Sequence, residues 1–242
     1  MDFKIRIADI NIGIHSLHSN IYNVCKDYLI NDKEISDIEI ITDDDKIIME
    51  SERALQYYAD LPGVGSLENM LVHRTIAEEL PTYNAFLMHG AVIAVDNYSY
   101  MFVARSGTGK TTHIKKWLYN IKNSFVVNGD KPIVLINDCG TFACGTPWCG
   151  KERYGTNISL PLRSIVFMER NEKNSIEQVS FKQILPLLLE QVYHPHNAEQ
   201  MRKTINLLKH LKNDVSFYKF YFNNFAEDAF NVSYDALVNN KC

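Results

Sequence analysis

The feature that most constrains the fold is a short glycine-containing segment that joins a strand pattern to a helical pattern. Residues 98–103 form an apolar and aromatic run, and residues 110–121 carry apolar side chains at helical spacing. Residues 104–109, which lie between them, contain Gly107 and Gly109. A second apolar run, 91–95, is joined to 98–103 by Asp96-Asn97, a pair typical of tight turns. The sequence therefore predicts two paired strands that lead directly into a loop and a helix.

The loop matches the pattern of a phosphate-binding loop with alanine at its first glycine position: Ala104-Arg105-Ser106-Gly107-Thr108-Gly109-Lys110-Thr111. Glycines let successive backbone N–H groups turn toward phosphate oxygens, where side chains would obstruct them. Lys110 would add a positive charge against the β- and γ-phosphates, and the Thr111 hydroxyl would ligate Mg²⁺. The alternative interpretation is a glycine-rich strand–helix turn that binds no ligand. We predict nucleotide binding by Ser106, Gly107, Thr108, Gly109, Lys110, Thr111 and Thr112.

Length, composition and charge exclude several classes of protein. A chain of 242 residues with 46% hydrophobic residues suits one continuous α/β or α+β domain and not a disordered chain. Its net charge of −4 does not favour nucleic acid, and it has neither a signal-peptide core nor an apolar run that could span a membrane. Cys139, Cys144 and Cys149 recur every five residues and are interpreted as reduced thiols, not as a zinc site. We therefore predict a cytoplasmic protein that binds neither nucleic acid nor membrane.

The rest of the chain alternates between strand and helix patterns. Strands are predicted at 3–14, 37–41, 133–136, 141–144, 164–169 and 217–222, and helices at 17–30 and 228–238. Helix starts are predicted at Ser66, Ser180 and Asn197, and Pro81 is expected to end the first of these helices. Gln183 and Gln200 stand at the capping-box positions of the other two. The run 43–45 of three aspartates is interpreted as a helix N-terminus.

Four segments of the chain carry a resemblance to a known family. They are Met88-His89-Gly90-Ala91-Val92, the loop with its continuation Thr112-His113, Gly129-Asp130-Lys131-Pro132, and Gly145-Thr146-Pro147-Trp148-Cys149-Gly150-Lys151. The chain resembles HPr kinase-related proteins, which share a nucleotide-binding core with HPr kinase/phosphorylase and ATP-dependent phosphoenolpyruvate carboxykinase. The resemblance covers roughly residues 85–195. The first 80 residues carry no motif that we can place.

The resemblance implies both a fold and an activity. The expected fold is an α/β, α+β-like core with a mixed, antiparallel-rich sheet and helices on the outside. The chain would form a single kinase-like domain over 1–242, with an N-terminal subdomain at 1–80 and a nucleotide-binding core at 85–222. The expected activity is an ATP- and Mg²⁺-dependent transfer of the γ-phosphate to a hydroxyl group. The acceptor is either a small serine-like metabolite or a peptide or protein serine, and homo-oligomerisation, reversibility and nucleotide preference are left open.

The family's site residues carry over position by position. The resemblance implies that His89 lies beside the γ-phosphate, that Asp130 holds Mg²⁺ together with Thr111, and that Lys151 approaches the phosphates or the acceptor. Trp148 would form a wall of the pocket. The alternative interpretations are a core histidine for His89 and a solvated surface charge for Lys151. The catalytic residues implied are His89, Lys110, Asp130 and Lys151.

Position 129 departs from the family pattern, which has a second aspartate there as a candidate base. With Gly129 in its place, either Asp130 serves both roles, or the base comes from elsewhere, or transfer is slow or absent. A loose transition state needs little help from a base, so this loss does not by itself exclude catalysis. The alternative function is a non-catalytic nucleotide-binding switch or adaptor with a degenerate pair of catalytic acids.

Several other residues are weaker candidates. Arg153 and Arg163 could neutralise transition-state charge, and Arg105 is expected to face solvent. His194-Pro195-His196 has no third ligand nearby in the sequence and is interpreted as a loop, not as a metal site.

Overall fold

The computed structural model describes residues 1–105, 107–223 and 228–239, so the predicted ligand Ser106 lies outside the described residues. The N-terminal part contains β1 (Asp2–Ile7), β2 (Ile10–His15), α1 (Ser19–Cys25), β3 (Ile38–Ile41), α2 (Asp44–Ala54) and α3 (Val64–Glu79). The strands that follow are β4 (Ala85–Leu87), β5 (Ala91–Val95), β6 (Tyr98–Val103), β7 (Phe125–Asn128), β8 (Ile133–Asn137), β9 (Gly140–Cys144), β10 (Ser159–Arg170), β11 (Ser175–Val179) and β12 (Ser216–Phe222). The helices among them are α4 (Lys110–Asn120), α5 (Phe181–Gln191), α6 (Ala198–Asp214) and α7 (Ala229–Tyr234).

A nine-stranded mixed sheet forms the centre of the molecule. Its order is β4-β8-β9-β10-β6-β5-β7, and β12 and β11 extend it from β10. The long strand β10 pairs antiparallel with β9 through its first residues and parallel with β6 and β12 through its later ones. The other described pairs of this sheet are antiparallel. The predicted mixed, antiparallel-rich sheet is therefore confirmed.

Helices cover both faces of this sheet. Successive residues of a strand point to opposite faces, so Val92 and Met101 pack with Leu188 of α5 and Leu208 of α6. On the other face, alternate residues of β5 and β6 pack with α4, whose Ile114 and Trp117 are buried, and with the C-terminal residues. The predicted outside position of the helices is therefore confirmed.

The N-terminal strands form a second, smaller sheet with the order β1-β2-β3. The prediction of one strand over 3–14 is wrong, because Ala8 and Asp9 take φ values of 51° and 61° and turn the chain back on itself. Alternation continues on both sides of this turn, and alanine is not a typical turn residue, so the pattern hides the hairpin. This sheet shares one apolar cluster with α3, β4 and β8. The division into a subdomain at residue 80 stays a prediction.

Helix starts show where local chemistry predicts structure and where it fails. The Gln183 side chain accepts a hydrogen bond from the Ser180 N–H (2.9 Å), and Asn197 accepts from two amides of the first turn of α6. The Asp43 side chain caps α2 in the same way. The predicted start of α3 at Ser66 is wrong, because the Ser66 N–H already donates to the Gly63 carbonyl (2.8 Å) and α3 begins at Val64.

The remaining differences from the predicted elements concern short strands and the ends of helices. Strands β4, β7 and β11 have no counterpart among the predicted elements, and each has five residues or fewer. The predicted helix 17–30 is α1 followed by a 3₁₀ turn at Lys26–Tyr28. Pro81 lies in a 3₁₀ turn directly after α3, as a stop signal should. Among the described residues, no helix has both the length and the apolar composition that crossing a bilayer requires.

A buried polar network joins α4 to α7. The Trp117 Nε1–H points at His113 Nε2 (3.1 Å) and at Ser233 Oγ (3.0 Å), and all three side chains are almost fully buried. Burial lowers the pKa of His113 to about 3, and the nearby Lys116 adds to this effect. Because Nε2 accepts this contact, the imidazole is neutral with its proton on Nδ1.

This network predicts a loss of stability on acidification. The unfolded chain takes up a proton on His113 below about pH 6.5, whereas the folded chain does not until about pH 3, so stability falls as the pH falls through this window. At pH 5 we expect a loss of about 2 kcal/mol from this side chain alone. Urea unfolding of the native chain and of His113→Gln, which keeps an acceptor that does not titrate, measures it. Stability curves that run parallel from pH 7.5 to pH 5 would contradict the assignment.

Candidate functional site

Three loops meet at one edge of the nine-stranded sheet. Strand β5 is antiparallel to both β6 and β7, so the amino end of β5 lies beside the carboxyl ends of its two neighbours. His89 precedes β5, the loop 104–109 follows β6, and Asp130 follows β7. The Gly90 N–H donates to the Asp130 carbonyl (3.0 Å) and ties two of these loops together. Strand order thus brings together residues as far apart in sequence as His89 and Asp130.

The predicted residues Lys110, His89 and Asp130 form a contiguous cluster at this edge. Lys110 Nζ lies 3.2 Å from His89 Nε2, which in turn lies 3.2 Å from Asp130 Oδ1. One ring nitrogen therefore faces both an ammonium and a carboxylate, and it can accept from the first or donate to the second, but not both. An anion that draws the Lys110 ammonium away leaves the imidazole free to donate to Asp130.

The charges of the cluster suit an anionic ligand. Burial lowers the pKa of Lys110 to about 8, against the effect of Asp130, and Lys131 adds to the lowering. Burial raises the pKa of Asp130, but the hydrogen bond from His89 and the charges of Lys131 and Lys110 outweigh it and hold the pKa below its ordinary value. Near pH 7 the pair is thus a mostly protonated, poorly hydrated ammonium beside a carboxylate. Such an ammonium gains more from an added anion than an exposed one would.

The loop before α4 has the backbone conformation that glycine permits. Gly107 has a φ of 77°, and Gly109, directly before the helix, has a φ of 118°. Ala104 is buried and has no positive φ, so alanine fits the first glycine position of the pattern. The first helical hydrogen bond runs from the His113 N–H to the Gly109 carbonyl (3.0 Å). The amides of Lys110, Thr111 and Thr112 precede it and have no acceptor within the helix.

Arg170, at the end of β10, donates two hydrogen bonds to carbonyls of this loop, and sequence reasoning missed it. Its Nε donates to the Thr108 carbonyl (2.9 Å) and its Nη2 to the Gly107 carbonyl (2.6 Å). Because the C=O and N–H of a trans peptide point in opposite directions, the Thr108 carbonyl turned to Arg170 directs the Gly109 N–H the other way. Arg170 reaches the loop because β10 pairs parallel with β6. Local sequence patterns do not reveal this pairing, so they gave no signal for Arg170.

Asn128, at the end of β7, shapes the turn that carries Asp130 and was also missed. This fully buried side chain accepts hydrogen bonds from the amides of Asp130 (2.8 Å) and Lys131 (2.7 Å) through Oδ1. Its Nδ2 donates to Thr146 Oγ1 (2.9 Å), and the Thr146 hydroxyl donates to the Lys131 carbonyl (2.7 Å). The turn is therefore pinned to the segment 145–150.

Gly129 lacks a side chain because nothing larger fits. A Cβ added there would lie 2.6 Å from the Cys149 carbonyl oxygen and 3.3 Å from that of Tyr154. Both obstacles are backbone atoms, which cannot rotate away as a flexible side chain would. The missing aspartate of the family pattern is thus coupled to the path of the segment that follows Thr146, and Asp130 is the one carboxylate of the turn 128–131.

The predicted residues Trp148 and Lys151 have different environments. Trp148 Nε1 donates to Asn69 Oδ1 on α3 (3.0 Å), and its ring lies against His73, with ring centroids 4.5 Å apart. Trp148 and Asp130 line one cavity, and the role of Trp148 in a nucleotide pocket stays a prediction. Lys151 is exposed just beyond Gly150, and its role stays a prediction.

Three cavities surround the cluster. The loop cavity, about 590 Å³, lies between Gly107, Thr108 and Arg170 on one side and Leu187 and Glu190 of α5 on the other. The His89 cavity, about 360 Å³, is lined by His89, Lys131 and Glu190. The Trp148 cavity, about 730 Å³, is lined by Asp130, Lys131 and Trp148 together with residues of α1 and α3. Of the cluster residues, His89 thus borders the second cavity and Asp130 borders the third, which reaches the N-terminal helices.

The weaker candidates are mostly engaged elsewhere. Arg163 stacks on the Tyr98 ring (3.6 Å to its centroid) at the amino end of β6, opposite the loop. His194 contacts the Leu189 carbonyl and His196 contacts Glu78, as expected of a loop. Arg105 is exposed, with Glu190 3.9 Å away, and Arg153 lines the Trp148 cavity. Within the described ranges, no group of three or more His, Cys, Asp or Glu side chains could hold a metal ion.

Comparison with known proteins adds no family to this geometry: no family model matches the chain, and no curated protein matches it. The relation to HPr kinases is therefore a resemblance carried by four short segments. Function must be argued from the arrangement of the site.

The packing around Gly129 generates a direct test. Gly129→Ala should lower the free energy of unfolding by about 1–3 kcal/mol, because the new Cβ forces the Cys149 and Tyr154 carbonyls apart. Gly63→Ala, whose Cβ would meet nothing within 4 Å, should cost less, about 0.5–1 kcal/mol, because it replaces the N-cap residue of α3 without a clash. Chemical denaturation of both variants measures the difference. Equal stabilities would show that the segment after Thr146 does not follow the described path.

Proposed function

We propose that the protein is an ATP- and Mg²⁺-dependent kinase related to HPr kinase, which transfers the γ-phosphate of ATP to a hydroxyl group. The observation that carries this proposal is the cluster of Lys110, His89 and Asp130 beside a loop whose two glycines have positive φ values. A phosphate-binding loop needs inward amides, one cation and a nearby carboxylate. The cation and the carboxylate lie at a single edge of the sheet, and the positive φ values of Gly107 and Gly109 support the proposal that loop amides turn inward there.

In this proposal the loop amides and Lys110 bind the β- and γ-phosphates. The amides at the start of α4 add the positive end of the helix, which favours an anion. Arg170 keeps two loop carbonyls away from the phosphates, whose negative charge they would repel. His89, next to Lys110, donates to a γ-phosphate oxygen or to Asp130. Transfer then depends on positioning and charge, as expected for a loose transition state.

The residues present fit a magnesium ion. Mg²⁺ binds oxygen ligands, keeps several waters, and is usually held by one or two carboxylates together with substrate phosphates. Asp130 offers one carboxylate whose pKa lies below its ordinary value, and Thr111 offers a hydroxyl in the first turn of α4. When bound, the ion would neutralise charge on the phosphates. A single carboxylate in the turn agrees with the lack of room at Gly129.

A nucleotide-binding switch or adaptor is the second candidate, and the steric exclusion at position 129 favours it. Without a second aspartate, Asp130 would have to serve both the metal and the acceptor proton. An adaptor would bind MgATP and keep it intact. The kinase and the adaptor therefore predict the same nucleotide binding and differ in turnover.

Turnover of labelled ATP separates these functions. With MgATP and a mixture of hydroxylated metabolites or serine peptides, the kinase forms ADP and a labelled product, and Lys110→Ala should lower the rate about 10²–10³-fold. Lys115→Ala on the same helix, whose side chain faces Glu152 (3.7 Å), is the matched control and should retain the rate. Tight ATP binding without ADP release over hours would favour the adaptor. Full turnover by Lys110→Ala would refute the assignment of Lys110.

A further inference from the structure

Only one of the three cavities borders both Asp130 and the unassigned N-terminal helices. An acceptor hydroxyl must approach the γ-phosphate from the side opposite the leaving ADP. The loop cavity is lined by Gly107 and Thr108 and thus borders the loop that is proposed to bind the nucleotide. The Trp148 cavity contains Asp130 and Lys131 but none of the loop residues. The Trp148 cavity therefore reaches Asp130 from a side away from the loop residues, as an acceptor site requires.

We propose that the Trp148 cavity is the acceptor site, that α1 and α3 supply its specificity, and that the acceptor is a small hydroxylated anion. This inference rests on the kinase function proposed above. The cavity volume of about 730 Å³ lies within the usual range for small-molecule sites. The first 80 residues carry no sequence motif, and in this proposal their helices α1 and α3 line the acceptor site.

The lining of the cavity indicates the chemistry of its ligand. Three asparagines, Asn20 and Asn23 on α1 and Asn69 on α3, offer amide donors and acceptors for hydroxyl groups. Asn69 Oδ1 already accepts from Trp148, which directs its NH₂ group to other acceptors. Amide groups of this kind discriminate strongly between a ligand with hydroxyls and one without.

The charges of the lining favour an anionic group on the ligand. Lys26, Lys131 and Arg153 contribute three positive charges, whereas Asp27 and Asp130 contribute two negative ones. Asp130 already faces His89, so the rest of the cavity has an excess of positive charge. A carboxylate or phosphate group on the acceptor would complement it.

A buried carboxylate, that of Glu68, holds the start of α1 against α3, the two helices that carry the three asparagines. Glu68 of α3 is fully buried and accepts hydrogen bonds from the amides of Leu17 (2.6 Å) and His18 (3.0 Å), directly before α1. It also accepts from the Thr42 hydroxyl (2.5 Å). These bonds fix the start of α1 against α3, so that the backbone that carries Asn20 and Asn23 is placed before a ligand arrives. Preorganisation of this kind lowers the entropic cost of binding.

The transfer step balances with the groups at hand. The acceptor oxygen forms a bond to the γ-phosphorus, and the bond from that phosphorus to the β,γ-bridging oxygen breaks. The electron pair of the broken bond stays on ADP. The hydroxyl proton passes to the Asp130 carboxylate, which borders the cavity, and from there to solvent.

Tryptophan fluorescence reports on this cavity directly. The chain has two tryptophans, of which Trp117 is fully buried under α7 and Trp148 lines the cavity. Protein saturated with MgADP is titrated with the anions D-glycerate and glycerol 3-phosphate, and with glycerol as the uncharged match. We expect a saturable change in emission with at least one of the anions, none with glycerol, and none in Trp148→Phe.

Variants of α1 and its flank test the specificity. Asn23→Ala and Lys26→Ala should each weaken binding of the active anion about tenfold. Lys33→Ala, an exposed lysine outside the cavity lining, should leave it unchanged. Anions that act no differently from glycerol, or phosphate transfer only to a peptide, would overturn the inference, while turnover of MgATP to ADP would still uphold the kinase function. Failure of MgADP itself to bind would instead remove the proposed function.

Discussion

The contact of His89 Nε2 with both Lys110 and Asp130 is the interaction on which the account of this protein depends. It joins three segments that are remote in sequence, and it exists because β5 lies antiparallel between β6 and β7. A parallel βαβ arrangement would reach the same loop from a different neighbour. The site is thus a property of the sheet order as much as of the phosphate-binding pattern.

Two supports outside the motif give the site its shape. Arg170 holds the carbonyls of the loop, and Asn128 holds the turn that carries Asp130. Asn128 also binds Thr146, so the same buried amide connects the turn that carries Asp130 to the segment containing Trp148. Gly129 shows the consequence of this close packing, since the approach of the Cys149 carbonyl leaves no space for a second carboxylate. The lack of room at position 129 and the lining of the Trp148 cavity both involve the segment that contains Cys149.

Sequence reasoning succeeded where the determinants are local. The β5–β6 hairpin follows from Asp96-Asn97, both of which take positive φ values, and the starts of α5 and α6 follow from their capping side chains. It failed where long-range pairing decides. Nothing near Arg170 indicates that β10 lies beside β6, and the turn at Ala8-Asp9 contains one typical turn residue within a continuous strand pattern. His89, Lys110 and Asp130 were predicted together through the resemblance, because residue spacing alone cannot bring them into contact.

The central claim is that this edge of the sheet binds a nucleoside polyphosphate, and isothermal titration of the native chain with MgATP and with MgADP tests it most directly. The account predicts saturable binding at one site per chain, with a rise in unfolding free energy of about 2.7 kcal/mol at a ligand concentration 100 times Kd. Absence of binding heat, with an unchanged melting temperature at millimolar concentrations of both nucleotides, would contradict it.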